Sequence, residues 1–431
     1  MRTPVYIEVT NTLTSGFTTG FQRLTRELVT QLTESAVPDD PIEVIPVRWC
    51  ERRLRYRRLT DAERRFLGRP PGPSDLPRSR LGRIGERLPA VLAGPARRAI
   101  HTRTGDWLRV NVARAKPPDL PPAHPELEIG PWTTGSIFLD LEAAWHDPRA
   151  RADLLPELVD AGVIPMTLVA DVLPELRPEW FDNNAAALFR SFLRAHMRHS
   201  RRFICISRAT ETDLRSVAPT VGVDRELDCR VVTMGGDFRT FAEGVPAPIE
   251  LSGLRYLLCV STLEPRKNQA LLLDAYEVLR TRYPDVAVVL VGRVGWKTER
   301  LVERITSHPD LGRRVFWYDR VDDALLDRLY RDAFLSVTPS YSEGFGVPVI
   351  EALGHGVPTL SSNGGALPEA GGELAEYFAP TDLDALVLAA ERHLFDERYH
   401  AQRRDALRDY RPPTWAASAQ QVRAAVVDML D

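Results

Sequence analysis

Apolar residues in this chain fall into short runs separated by stretches of helical spacing. Val5-Tyr6-Ile7-Glu8-Val9 reads as a buried strand, and Ser15-Gly16-Phe17-Thr18-Thr19-Gly20 supplies turn residues and helix caps. Phe21, Leu24, Leu28, Val29 and Leu32 then recur at helical spacing, against a polar face of Arg23, Glu27 and Thr30. The predicted unit is strand, glycine loop, helix. Further strands are expected at Ile42 to Val47, Ile137 to Leu141, Val163 to Ala170, Phe203 to Ile206 and Cys229 to Met234, with helices near 151–160 and 184–199.

Residues 235–253 hold Gly, Pro and acidic residues without periodicity, which suits a connection between domains. Beyond it, strands are predicted at Tyr256–Ser261, Val286–Val291, Val315–Tyr318, Phe334–Thr338, Pro358–Ser361 and Ala375–Phe378. These runs are apolar almost throughout, as expected when helices cover both faces of a parallel sheet. The expected fold is α/β, with two Rossmann-like doubly wound domains facing a central cleft. The N-terminal domain is placed at 1–235, for the acceptor, and the C-terminal one at 254–410, for a nucleotide. A closing helix within 411–431 is expected to pack back on the first domain. Ligands of open α/β sheets bind at the carboxyl ends of the strands, so the chemistry belongs in the cleft.

Composition alters this picture in one place. A length of 431 residues suits two cores, and a net charge of −3 gives no general attraction to nucleic acid. Between Glu51 and Lys116, however, 17 Arg and 1 Lys face 3 Glu and 3 Asp. This Arg/Pro-rich stretch reads as an insertion of solvated chain with one or two arginine-rich helices. Two sharper readings are docking on an anionic lipid surface and gripping a phosphate-bearing acceptor. It lacks interleaved stacking aromatics, so no nucleic-acid partner is expected. The four cysteines have no paired spacing and read as free thiols, and no signal pattern or run of about 18 apolar residues is present. A cytoplasmic protein is expected, with peripheral contact at the inner membrane face as the only membrane association.

Candidate chemistry follows two strands of the second half. Glu264-Pro265-Arg266-Lys267-Asn268 places two cations at a strand's carboxyl end and before a helix, where they could hold a diphosphate. Ser342-Glu343-Gly344-Phe345-Gly346-Val347-Pro348 follows another strand. Its glycines let the backbone approach a ligand closely, and a helix is expected to start near Phe345. Glu351 lies eight residues after Glu343, roughly 12 Å along a helix axis. The two carboxylates would therefore grip different parts of one long ligand, such as a sugar hydroxyl and a ribose hydroxyl. No Asp-x-Asp follows a strand, and no metal or cofactor is expected.

These stretches, with Val291-Gly292-Arg293-Val294-Gly295-Trp296-Lys297 and Ser361-Ser362-Asn363-Gly364-Gly365-Ala366-Leu367-Pro368-Glu369, resemble the nucleotide-sugar-binding domain of family 4 of the retaining glycosyltransferases, which have the GT-B fold. The resemblance covers about residues 255 to 395. It implies that Arg266 and Lys267 bind the donor diphosphate, that Glu343 contacts the transferred sugar and Glu351 the ribose, and that Arg293, Arg320 and Val321 lie near the base. Gly344, Phe345, Gly346 and Val347 would line the donor site, with Gly16 and Gly20 from the first domain. Thr19-Gly20-Phe21-Gln22-Arg23 and Asp171-Val172-Leu173-Pro174 resemble segments of bacterial polysaccharide-type members. Many relatives carry a histidine where Ala170 stands here, so the acceptor candidates are Asp171 and, from a neighbouring loop, His146. The implied activity is metal-independent, retaining hexosyl or deoxyhexosyl transfer from a nucleotide-diphosphate sugar to a glycan or lipid-linked acceptor. The alternatives are a small-molecule acceptor and a catalytically silent binding protein. Trp415 is expected to anchor the closing helix.

Overall fold

The computed structural model describes residues 2–15, 20–34, 40–68, 127–237, 246, 248–319 and 321–430. Two sheets organise them. The first contains β1 (Thr3–Glu8), β2 (Ile42–Cys50), β3 (Arg55–Arg58), β4 (Ile137–Asp140), β5 (Ile164–Val169), β6 (Arg202–Cys205) and β7 (Asp228–Val231), in the order β3-β2-β1-β4-β5-β6-β7. The second contains β8 (Arg255–Val260), β9 (Val286–Val291), β10 (Val315–Tyr318), β11 (Leu335–Thr338), β12 (Thr359–Ser362) and β13 (Glu376–Phe378), in the order β10-β9-β8-β11-β12-β13. All pairings are parallel except that of β3 with β2. Buried apolar runs such as Val286–Val291 occupy central strands with helices on both faces, which is the doubly wound arrangement the pattern predicts. In each sheet the strand order reverses once, between β1 and β4 and between β8 and β11.

Two details differ from expectation. The basic stretch begins with Arg55–Arg58 as an antiparallel edge strand on β2, which was not expected, before Asp61–Gly68 forms a helix carrying Arg64 and Arg65, which was. Arg57 enters the interior by pairing with Glu63, whose carboxylate also takes Arg48 and the Thr60 N–H. A guanidinium paired with a buried carboxylate can be buried where an unpaired one cannot. The rest of the stretch, 69–116, lies outside the described residues, so its lipid and phosphate readings rest on sequence alone. The second change is at the glycine loop: the helix expected from Phe345 starts at Val347, with Gly346 at φ +119° before it.

The closing helix, Trp415–Asp428, crosses to the first domain. Trp415, Ala419, Val422, Ala425, Val426 and Met429 share one buried cluster with Leu24, Leu28 and Leu32 of helix Gly20–Glu34 and with Phe345, Val349 and Ile350 of the second domain. Arg423 pairs with Asp40 and donates to the Leu32 carbonyl at 2.6 Å. Trp415 is the packing anchor expected: a methyl group on Gly235 would stand 2.7 Å from its ring. Among the described residues, no helix is long and apolar enough to cross a membrane.

Candidate active site

The turn after β8 carries Pro265–Lys267, and Asn268, at φ +52°, ends it. The Asn268 amide donates to the carbonyls of Pro339 (3.1 Å) and Pro380 (2.8 Å), tying this turn to the loop after β11. The Tyr341 N–H donates to the Arg266 carbonyl at 2.8 Å and closes the same join. Residues 77 positions apart in sequence thereby meet. Arg266 donates to Glu343 Oε2 at 2.5 Å, Lys267 Nζ reaches both Glu343 oxygens at 2.6 and 2.7 Å, and Ser340 Oγ donates to Oε1 at 2.7 Å. Arg266 also reaches Glu264 at 3.1 Å. Burial works against the Glu343 charge, but Arg266 and Lys267 outweigh it and hold the carboxyl down at about 2. Arg266 is correspondingly raised, its own burial being outweighed by Glu343 and Glu264.

The glycines explain how two domains approach here. A Cβ on Gly344 would lie 1.9 Å from the Ala170 carbonyl oxygen, so no side chain fits between this loop and the end of β5. That contact brings Asp171 beside the cluster: burial raises its carboxyl, opposed by Arg266 and, more weakly, Lys267. Thr210 donates to the Gly344 carbonyl at 3.2 Å, and the N–H groups of Arg208 and Ala209 donate to Glu369 of the second domain at 2.9 and 2.7 Å. Gly365, at φ +60°, would put a Cβ 2.4 Å from the Glu343 carbonyl oxygen, so the Gly364-Gly365 pair packs directly beneath the acidic loop.

Glu351 belongs to a second group of contacts. It is buried on helix Val347–Gly354 and accepts from Arg23 of helix Gly20–Glu34 at 2.7 Å and from the Tyr330 hydroxyl at 3.0 Å. Burial raises its carboxyl, with Arg23 as the main opposing charge. Neither Arg23 nor Tyr330 was marked by sequence pattern, because Arg23 reads there as part of a solvated helix face. Arg293 is half-buried after β9, and its carbonyl accepts from Leu263 at 2.8 Å. Val321 packs against the core cluster that holds Phe316 and Leu326. Gly20 opens its helix, whereas Gly16 and Arg320 lie outside the described residues. His146 is exposed on a 3-10 turn beside Trp145, with the ring centroids 5.8 Å apart.

A third group lies wholly in the first domain, at the reversal between β1 and β4. Arg151 donates to Asp140 at 2.7 and 2.8 Å and to Asp147 at 2.9 Å, and His196 meets Asp140 at 2.8 Å. Glu142 accepts the N–H groups of Asn11 (2.6 Å) and Thr12 (2.7 Å), while Glu8 accepts from Thr10. Burial raises the carboxyls of Glu8 and Asp147 and pushes Glu142 up to about 7, whereas Asp140, despite its burial, is held at about 2 by Arg151 and His196.

Comparison with known proteins assigns the part of the chain that carries the first cluster. Residues 248–410 match the family model described as glycosyl transferases group 1. The serotype-specific mannosyltransferase WbdA of Escherichia coli is 30% identical over 253 residues, covering 54% of this chain and 31% of that protein. The O-antigen chain mannosyltransferase B of Escherichia coli is 38% identical over 170 residues, 37% of this chain and 43% of that one. The chain thus spans less than half the length of these relatives. Over its whole length it shares a fold with Anabaena HepE in complex with UDP-glucose (TM-score 0.55, 16% identity, 100% and 98% of the two chains). It likewise matches the sucrose-phosphate synthase of Thermosynechococcus elongatus (TM-score 0.56, 18% identity, 99% of each chain). The Arg266, Lys267 and Glu343 cluster therefore lies within a glycosyl transferases group 1 region, set in a two-domain GT-B fold.

Proposed function

We propose that this chain is a retaining glycosyltransferase that takes a hexosyl unit from a nucleotide-diphosphate sugar and passes it to a glycan or lipid-linked acceptor. The observation that carries the reading is the convergence of Arg266 and Lys267 on Glu343, beside a glycine loop too tight for any side chain. Two fixed cations at a strand's carboxyl end suit a diphosphate, and a carboxylate that stays ionised suits a sugar hydroxyl. The mannosyltransferase relatives favour mannose as the sugar and GDP as the carrier, the latter from the GDP-mannose-dependent phosphatidylinositol monomannoside mannosyltransferase of Mycolicibacterium smegmatis, 28% identical over 178 residues.

In this mechanism the bond from the anomeric carbon to the diphosphate oxygen breaks, and the acceptor hydroxyl attacks from the same face. Its proton passes to the departing phosphate. Arg266, Lys267 and the N–H groups around Gly344 to Val347 hold that phosphate more strongly as its charge grows, which is the differential binding that lowers a barrier. Two cations then carry the charge a divalent metal would otherwise balance at the phosphates. Donor binding would draw Arg266 and Lys267 from Glu343 towards the diphosphate and free its carboxylate for the sugar. Glu351 would accept from the ribose, sharing its oxygens with Arg23 and Tyr330, with Arg293 and Val321 towards the base and Asp171 on the acceptor side.

Thermal-shift measurement with GDP, UDP, dTDP and ADP, in EDTA and without it, tests the donor. GDP alone is expected to raise the melting temperature, equally in both buffers. A shift with UDP alone would replace the carrier, and no shift with any of the four would leave the fold without the activity.

A further inference from the structure

The cleft chemistry uses none of the acidic residues at the β1–β4 reversal, yet that is where an open α/β sheet forms its crevice. Glu8 ends β1, Asp140 ends β4 and is its register partner, Glu142 follows two residues on, and Asp147 follows a 3-10 turn. The four side chains are almost wholly excluded from solvent, as is Arg151. Against four carboxyls, Arg151 spends its hydrogen bonds on Asp140 and Asp147 and on the Arg149 carbonyl, and pairs with Glu8 Oε2 at 3.4 Å without hydrogen-bond geometry. Arg26 acts on Glu142 only through space, its own hydrogen bonds going to the Thr12 and Phe66 carbonyls. His196, buried beside Asp140, is displaced towards its neutral form by that burial.

Among the described residues, Glu8 Oε2 and Asp147 Oδ1 accept no hydrogen bond from an N–H or hydroxyl donor, and the Glu8 carboxyl lies against those of Glu142 and Asp147. One oxygen from each of Glu8, Glu142 and Asp147 lies within 4.8 Å of the others. Hard divalent cations bind oxygens at about 2.0–2.6 Å, so two oxygens on one ion stand at most about 5 Å apart. The spacing and the all-oxygen donor set suit calcium, magnesium or manganese and are wrong for zinc or copper, which favour nitrogen and sulfur. Glu142 keeps free lone pairs for a cation while its oxygens hold Asn11 and Thr12.

We propose that Glu8, Glu142 and Asp147 form a binding site for one hard divalent cation, separate from the donor cluster, at the strand reversal of the first domain. The ion would tie the ends of β1 and β4 to the turn Ala144–His146 and to helix Thr10–Thr14.

The test uses the full chain stripped with EDTA and titrated with calcium, magnesium or manganese chloride alone, read by calorimetry and by melting temperature. One equivalent is expected to bind with sub-millimolar affinity and to raise the melting temperature. Glu8→Gln and Asp147→Asn are each expected to weaken binding about tenfold or more, since each removes a negative charge and one carboxylate oxygen from the donor set. Lys267→Ala should leave metal binding unchanged, which separates this site from the donor cluster. If either acidic variant fails to fold, the stoichiometry of the wild-type chain decides alone. No binding by the stripped wild type at millimolar metal, or full affinity in well-folded Glu8→Gln, would overturn the site and make the cluster a set of carboxyls sharing protons.

Discussion

The two strand reversals of this protein are built alike and charged oppositely. At β8 and β11, Arg266 and Lys267 balance Glu343 and Glu264, and the carboxylate at the centre stays ionised. At β1 and β4, four carboxyls outnumber the cations beside them, Arg151 and Arg26, and burial drives three of the carboxyls towards the neutral form. One topology thus yields a crevice whose central carboxylate is balanced by two cations, and another in which acid is in excess. Strand order decides where a site lies; which charges end the two central strands decides what it takes.

Substitutions should break this contrast in a definite order. Arg151→Met removes the guanidinium that pairs with Asp140, Asp147 and Glu8 and should cost about 3–5 kcal/mol of stability, as for other buried pairs cut on one side, measurable by chemical denaturation. Lys267→Ala should leave the melting temperature nearly unchanged and lower kcat by about 10²–10³, the scale for losing one donor to a developing charge. A mannosyl-transfer assay gives the number, and wild-type turnover would remove Lys267 from the mechanism.

The pH dependence sharpens the same contrast, because the two crevices should titrate with opposite sign. Glu343 is held below its ordinary 4.5, so its contribution is present above that pH and is lost as pH falls through about 2. Glu142 is raised, so its contribution is present below 4.5 and is lost as pH rises through about 7. Melting curves in EDTA should show stability declining between these last two values, less steeply in Glu142→Gln than in wild type, since Glu8 and Asp147 are raised as well. A smaller effect is expected at the bridge between the domains. Arg23→Ala leaves Glu351 with Tyr330 as its remaining side-chain partner and should cost about 1–3 kcal/mol of stability, with a raised KM for the donor.

The sequence pattern marked one crevice and passed over the other for a physical reason. Arg266, Lys267 and Glu343 sit in short glycine-marked stretches just after apolar strands, so local spacing was enough to single them out. Strands such as Val286–Val291 and Val315–Tyr318 were legible with their boundaries because they are unbroken apolar runs, and helix Arg151–Asp160 because Leu154, Leu155 and Leu158 recur at helical spacing and are buried. Arg55–Arg58 was not, since an edge strand with two exposed arginines carries no apolar signal. The acidic crevice is assembled from positions 8, 140, 142, 147 and 151, which only the fold brings together. Its signal was a charge inside a buried run, as Glu8 in Val5–Val9 and Asp140 in Ile137–Leu141. A search for Asp-x-Asp also passes over Asp140-Leu141-Glu142, which has the same spacing with one longer acid.

The crossing of helix Trp415–Asp428 has a consequence for the order in which the molecule can be made. Leu24, Leu28 and Leu32 are covered by Trp415, Val422 and Val426, which are translated long after them. On the ribosome the second domain can close its β8–β13 sheet while the first still exposes one apolar flank, although domains made first usually fold first. Completion of the first domain waits until helix Trp415–Asp428 has been made, and a nascent chain halted before residue 415 should bind chaperones through that flank.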